Sequence, residues 1–247
     1  MNKQINLIVE GTKDAYFLYE FLSRRFGSKL TRQSPPSGGG LSYKAKESLM
    51  FKYDKEFDSL LLCIHYTGGY NQPGPIRTYL TSAEKGYLLE CAAIIFDSDM
   101  KGTSDDAGQT LRRGYLESMI NGMIAELRND NLQCASEVRI FLFPDNVNDG
   151  DLESVLYHMA YPLHRSYFSL CWRVFQFLLS ACSFLRLSNK SMIYDYVEAM
   201  YDKTDKVAKV KDKQGYDKNM RANGLWKWDA KELQPLYDFI DKILAEI

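Results

Sequence analysis

The order of hydrophobic patterns predicts an α/β domain, a mostly parallel sheet with helices on both faces, followed by a helical C-terminal extension. Three observations carry this. Four short apolar runs, Ile5–Val9, Leu60–His65, Ala92–Phe96 and Val138–Phe143, lack clean alternation, as strands buried on both faces do. Helical patterns separate them. After Pro162 only helical patterns remain. The expected organisation is a core over residues 1–160 and a helical extension, 161–247, packed on it.

The elements follow in order. Asp14 to Phe26 sets Phe17, Leu18, Phe21 and Leu22 on one helical face. Pro75 to Lys85 suits a second helix, with the proline in its first turn. Gly108 to Asn129 carries Leu111, Tyr115, Leu116, Met119, Ile120, Met123, Ile124 and Leu127, a long amphipathic helix. Ser34–Ser42, SPPSGGGLS, is turn-rich. Its three glycines lack the lysine-threonine and helix that a phosphate cradle needs. Further helices are expected near 163–187, 190–202 and 230–246. Between the last two, Lys203–Lys227 holds eight basic and three acidic residues, a local charge of +5, with Tyr216, Trp226 and Trp228. This fits a solvated linker or a single-strand nucleic-acid contact.

Composition excludes several classes. With 31 Lys+Arg against 32 Asp+Glu the net charge is −1, so the chain is no strongly cationic nucleic-acid coat. Five scattered cysteines, none in a CxxC pair, fit neither a disulfide framework nor a zinc site, and read as buried thiols in a reducing cytoplasm. Met1–Val9 is too short and polar for a signal peptide. Ser166–Leu185 approaches the length of a membrane span, but Arg173 and Gln176 sit near its middle; a buried helix and no membrane association are expected.

Ligands of open α/β sheets bind beyond the carboxyl ends of the strands. Three of the four strand ends carry carboxylates: Glu10 and Asp14; Asp97 and Asp99; Asp151 and Glu153. Close carboxylates cannot all ionise without a counter-charge, and Mg²⁺ or Mn²⁺ supplies one through oxygen ligands. Asp97 and Asp99 can share a metal if the chain turns between them, which Gly102 would assist. Asp14 or Asp151 can equally cap the helix that follows. His65, at the second strand end, can be a ligand, a base or merely half-exposed. His158 and His164 fit ordinary helical positions. Lys13, Lys101, Arg112 and Arg113 suit either a substrate phosphate or a solvated face.

Ile8-Val9-Glu10-Gly11 followed by Asp14 resembles the first motif of the toprim domain of topoisomerases, primases, small maturation ribonucleases and OLD-family nucleases. Ala93 to Gly102, with Asp97-Ser98-Asp99, resembles its aspartate-x-aspartate motif. Phe143-Pro144 through Gly150-Asp151-Leu152-Glu153 is similar to a downstream segment of small stand-alone toprim-like proteins. The likeness spans about residues 4–160. It implies a toprim-like, Rossmann-like fold and Mg²⁺- or Mn²⁺-dependent phosphodiester cleavage or transfer on DNA or RNA. Glu10 would act in proton transfer or metal binding, Asp97 and Asp99 would hold Mg²⁺, and Glu153 would complete a second metal site. Asp14 matches the acidic position after the glutamate, with Gly11, Lys101, Gly102 and Asp151 in supporting places. Strand-passage, primase zinc and ATPase modules have no counterpart in the sequence, which leaves a small nuclease or a module working with a partner protein. A non-catalytic binding or accessory module is the alternative. A haloacid-dehalogenase-like phosphatase, with Asp97 as nucleophile and Asp99 as acid/base, is a minor one; two extra residues separate its aspartates from Gly102.

Overall fold

The computed structural model describes residues 2–27, 30–33, 49–54, 59–101, 107–181, 192–193, 196–197 and 224–246. The strands are β1 (Asn2–Val9), β2 (Leu30–Gln33), β3 (Leu49–Asp54), β4 (Ser59–Tyr66), β5 (Tyr87–Asp97) and β6 (Glu137–Phe143). The helices are α1 (Thr12–Phe26), α2 (Pro73–Thr81), α3 (Gln109–Asn129), α4 (Leu152–Ala160), α5 (Arg165–Ala181) and α6 (Gln234–Glu246), the last preceded by a 3-10 turn over Lys231–Leu233. They form one sheet of order β2-β3-β4-β1-β5-β6. Its β4-β1-β5-β6 part is parallel, while β3 pairs antiparallel with β4 and β2 antiparallel with β3. All four predicted strands are present. The antiparallel β2 and β3 lie in a stretch whose sequence shows no long apolar run. The turn-rich Ser34–Ser42 lies outside the described residues, as does most of Lys203–Lys227.

The central strand β1 shows why a parallel sheet forms here. Ile5, Leu7 and Val9 point into one apolar layer, built with Phe17 and Phe21 of α1, Val155 and Met159 of α4, and Ile240 and Ile243 of α6. Ile8 points to the opposite layer, where α2 and α3 supply Ile76, Leu80, Leu116, Ile120 and Leu127. Each such side chain contributes about 1.5–3 kcal/mol on burial, so a strand covered on both faces carries the pattern of a continuous apolar run. The described C-terminal residues join the first layer: Phe168, Ile193, Tyr196, Trp226, Leu233 and Leu236 belong to the same cluster as Ile5 and Leu7.

One expectation changes. α5 is a helix, but it is not buried along its length. Phe168 is covered, whereas Leu170, Trp172, Val174 and Phe177 are 50–72% exposed. Arg165, Ser169, Arg173 and Gln176 form a polar stripe on α5, but its apolar arc is wider than its described neighbours cover. No helix among the described residues is long and apolar enough to cross a membrane.

The second layer contains a buried polar clasp. Asn6 Nδ2 donates to the carbonyls of Tyr79 (2.7 Å) and Ser82 (2.9 Å), and its Oδ1 accepts from Gln4 Nε2 (2.7 Å). Gln4 Oε1 accepts the Glu84 N–H at 2.7 Å. These bonds satisfy carbonyls at the end of α2, which otherwise lack partners. His65 joins the clasp. Its ring stacks on Tyr79 at 4.2 Å and its Nε2 lies 3.3 Å from Asn6 Oδ1. Burial pulls its pKa down to about 4, so it stays neutral and structural. Asn6→Leu keeps the volume but strands the Tyr79 carbonyl and leaves the Ser82 carbonyl and the Gln4 amide only their mutual bond at 3.2 Å. It should lower the unfolding free energy by about 2–4 kcal/mol in urea titrations, with far-UV dichroism unchanged.

Candidate functional site

Glu10 follows the last residue of β1, and Asp97 is the last residue of β5. The two strands are parallel neighbours, with Val9 opposite Ile95, so both carboxylates emerge at the same edge. After Glu10 the chain turns at once into α1. Gly11 is the N-cap, and its N–H donates to Asp14 Oδ2 at 2.6 Å, which folds the first turn of α1 back over the strand end. The Thr67-Gly68-Gly69 turn after β4 wraps the same point: the N–H groups of Gly68 and Gly69 donate to the Glu10 carbonyl at 2.9 and 3.1 Å. Both glycines have positive φ, 84° and 144°, a conformation that favours glycine.

The exit of β5 is held by Ser98, which is fully buried. Its Oγ lies 2.8 Å from the Phe143 carbonyl and 3.1 Å from that of Gly150, and accepts the Gly150 N–H at 2.9 Å. This knot ties β5 to the loop between β6 and α4. The loop then places the Leu152 N–H on Asp97 Oδ1 at 2.9 Å and Glu153 in the first turn of α4.

A cleft of about 330 Å³ results, lined by Glu10, Gly11, Lys13, Asp14, Asp97 and Glu153, with the Gly68-Gly69 turn and Tyr66 alongside. Four carboxylates face one ammonium group. Lys13 Nζ is 3.9 Å from Glu153 Oε1, and Glu153 is buried. Burial pushes Asp14 up to about 7, helped by Glu10 and Glu153 and opposed by the Gly11 N–H. Burial likewise raises Asp97 well above the ordinary carboxylate range, reinforced by Asp14, Glu10 and Glu153. All-oxygen donors of this kind match a hard divalent cation such as Mg²⁺ or Mn²⁺. As the cleft stands, the carboxylates share a space without sharing a point: among the described residues no three His, Cys, Asp or Glu side chains are gathered as ligands of one ion.

The candidates thus separate. Glu10, Gly11, Asp14, Asp97 and Glu153 come together. Asp99 does not line the cleft, contrary to the expectation that it shares a metal with Asp97. It has φ 57°, and its Oδ2 accepts from Arg112 Nη2 at 2.6 Å. The left-handed turn at Asp99 sends its side chain toward α3. Asp151 caps α4, accepting the Ser154 N–H at 2.8 Å, and Asp149 accepts the Gln109 N–H at the start of α3 at 2.6 Å. Lys101 is exposed and does not line the cleft; Gly102 lies outside the described residues. Sequence reasoning missed the pairing of Lys13 with Glu153. The signal available was their helical placement: each falls in the first turn of a helix that follows a site strand.

Asp14 makes stability pH-dependent in a defined direction. Its folded pKa lies above its unfolded value of about 3.8, so the native state binds the proton more tightly. The associated stability is fully present below about pH 4 and is lost as pH rises through about 7. Asp14→Asn keeps the acceptor for Gly11 and removes this loss. In metal-free buffer its melting temperature should gain on the wild type from pH 4.5 to pH 8. His65, with its depressed pKa, costs both proteins stability as pH falls from about 6.5 to 4 and cancels in the difference. A difference independent of pH would refute the assignment.

The architecture has a relative of known structure. A crystal structure of a hypothetical protein from Pyrococcus horikoshii OT3 superposes with a TM-score of 0.50 at 17% identity, covering 99% of this chain and 95% of that one. The similarity shows a shared fold. No curated protein matches the chain. The family model described as "Protein of unknown function (DUF3226)" matches residues 4–245, and the chain belongs to that family.

Proposed function

We propose that the cleft binds Mg²⁺ or Mn²⁺ and performs toprim-type phosphodiester cleavage or transfer on nucleic acid. The observation that carries this reading is the convergence of Glu10, Asp14, Asp97 and Glu153 in one cleft, where burial and mutual repulsion raise the proton affinity of Asp14 and Asp97. Bound there, a divalent cation supplies Lewis acidity toward a phosphate oxygen and lowers the pKa of a bound water. Asp97 and Glu153 hold the ion, with Asp14 beside them. Glu10 accepts the proton of the attacking water or hydroxyl. Lys13, next to Glu153, orients a phosphate oxygen. The four described cysteines carry free thiols, with Cys63 and Cys91 buried, which suits a reducing cytoplasm.

A second reading, a non-catalytic binding or accessory module, draws on the fact that the carboxylates are not gathered around one point. The phosphatase reading needs Asp99 beside Asp97 as acid/base, whereas Asp99 Oδ2 accepts from Arg112 Nη2 at 2.6 Å and does not line the cleft with Asp97.

The test incubates the purified chain with single- and double-stranded DNA and RNA in Mg²⁺ or Mn²⁺. Metal-dependent cleavage is expected. Asp97→Asn should remove both metal binding and turnover. Glu10→Gln should keep metal binding while turnover falls about 100-fold or more. Metal and nucleic-acid binding without cleavage supports the accessory module; no metal binding by calorimetry overturns the metal site. Any nucleic-acid affinity should fall steeply with salt.

A further inference from the structure

The buried stripe of α3 runs through Leu127, Met123, Ile120 and Leu116. One turn further toward the N-terminus it reaches Arg112, which is 0% exposed. A guanidinium in a core position is strongly destabilising unless it is fully engaged. Arg112 is engaged on two sides. Nη2 donates to Asp99 Oδ2 at 2.6 Å, and Cζ lies 3.5 Å above the centroid of the Tyr70 ring. Tyr70 meets Tyr115 of α3 edge-on at 6.1 Å, and the Tyr115 hydroxyl donates to Asn71 Oδ1 at 2.7 Å. Asp99 in turn accepts the Gly150 N–H through its carbonyl at 3.1 Å.

These contacts meet the two walls of the cleft from behind. Tyr70 directly follows Gly68-Gly69, the turn that wraps Glu10. Asp99 lies two residues beyond Asp97, and its partner Gly150 leads into Leu152 and Glu153. Arg112 does not line the cleft, so it meets the carboxylates through the segments it holds. A flat guanidinium can stack on a ring while bonding a carboxylate in its own plane; a lysine ammonium, a compact point charge, cannot stack on the ring in this way.

We propose that Arg112 is a positioning residue of the cleft. It holds Tyr70 and Asp99 on one guanidinium, sets the spacing between the Gly68-Gly69 turn and Asp97, and assigns Asp99 to this clamp instead of to the ion. The proposal rests on the metal-binding reading of the cleft.

The experiment measures Mn²⁺ binding to the full chain by calorimetry and by electron paramagnetic resonance, alongside melting temperature. The variants are Asp97→Asn, Asp99→Asn, Arg112→Lys, Tyr70→Phe and Tyr70→Leu. Arg112→Lys and Tyr70→Leu should each weaken Mn²⁺ binding about tenfold, the usual effect of losing a group that orients ligands, and should broaden the bound-Mn²⁺ spectrum. Tyr70→Phe restores the stacking plane and should recover both affinity and line shape. Asp99→Asn keeps the acceptor and should weaken binding only about threefold, against complete loss in Asp97→Asn. Tyr70 is only partly buried, so Tyr70→Leu tests the clamp even where Arg112→Lys unfolds the protein. If the wild type binds Mn²⁺ and Tyr70→Leu binds it equally well with the same spectrum, the clamp is wrong and the metal site stands. Loss of binding in Asp99→Asn equal to that in Asp97→Asn makes Asp99 a ligand and also overturns it. A wild type that binds no Mn²⁺ removes the metal site and the proposal together.

Discussion

The parallel pairing of β1 with β5 is the constraint on which the site depends. Val9 opposite Ile95 brings Glu10 and Asp97 out at one edge, and both strands are buried on their two faces. A one-residue slip would exchange the residues of the two apolar layers, sending Asn6 and Gln4 away from the end of α2 and Ile5 and Leu7 away from α1. The buried clasp around Asn6 therefore fixes the register from the side opposite α1, and the carboxylate edge inherits its geometry from a core interaction.

Around that edge the chain gathers four carboxyl groups, those of Glu10, Asp14, Asp97 and Glu153. Among the described residues Lys13 is the only cation lining the cleft, its ammonium 3.9 Å from Glu153. Backbone donors offset part of the cost: the Gly11 N–H serves Asp14, and the Leu152 N–H serves Asp97. They do not outweigh desolvation, since both carboxyls end with raised proton affinity. On the proposed reading protons and a divalent cation compete for the same oxygens, which the fold holds together at a cost to its own stability.

Two buried knots convert sheet geometry into site geometry. The Ser98 hydroxyl binds the β5 exit to the loop that brings Leu152 and Glu153 in, and Arg112 binds it to the turn beside Glu10. Neither side chain lines the cleft. Both are short-range, directional interactions, which suits loops that must hold carboxylates close together against their repulsion.

The sequence by itself determined the four parallel strands, because double-sided burial demands uninterrupted apolar runs. It also determined the helices α1, α2, α3 and α6, whose apolar residues recur on one face, and the placement of Glu10, Asp14, Asp97 and Glu153 at strand and helix ends. Only the tertiary structure decided the rest. The antiparallel β2 and β3 carry no strong pattern of their own and form as neighbours of β4. α5 has a polar stripe through Arg165, Ser169, Arg173 and Gln176, yet its wide apolar arc does not say which turn is covered. Asp97 and Asp99 look equivalent in the chain, yet the left-handed backbone at Asp99 and the guanidinium four residues before Leu116 leave Asp97 at the cleft and turn Asp99 to Arg112. Arg112 resembles a surface arginine until the helix is docked. Position along a helix fixes which face a residue shares, whereas the partner that face meets is set by long-range contacts that no local pattern encodes.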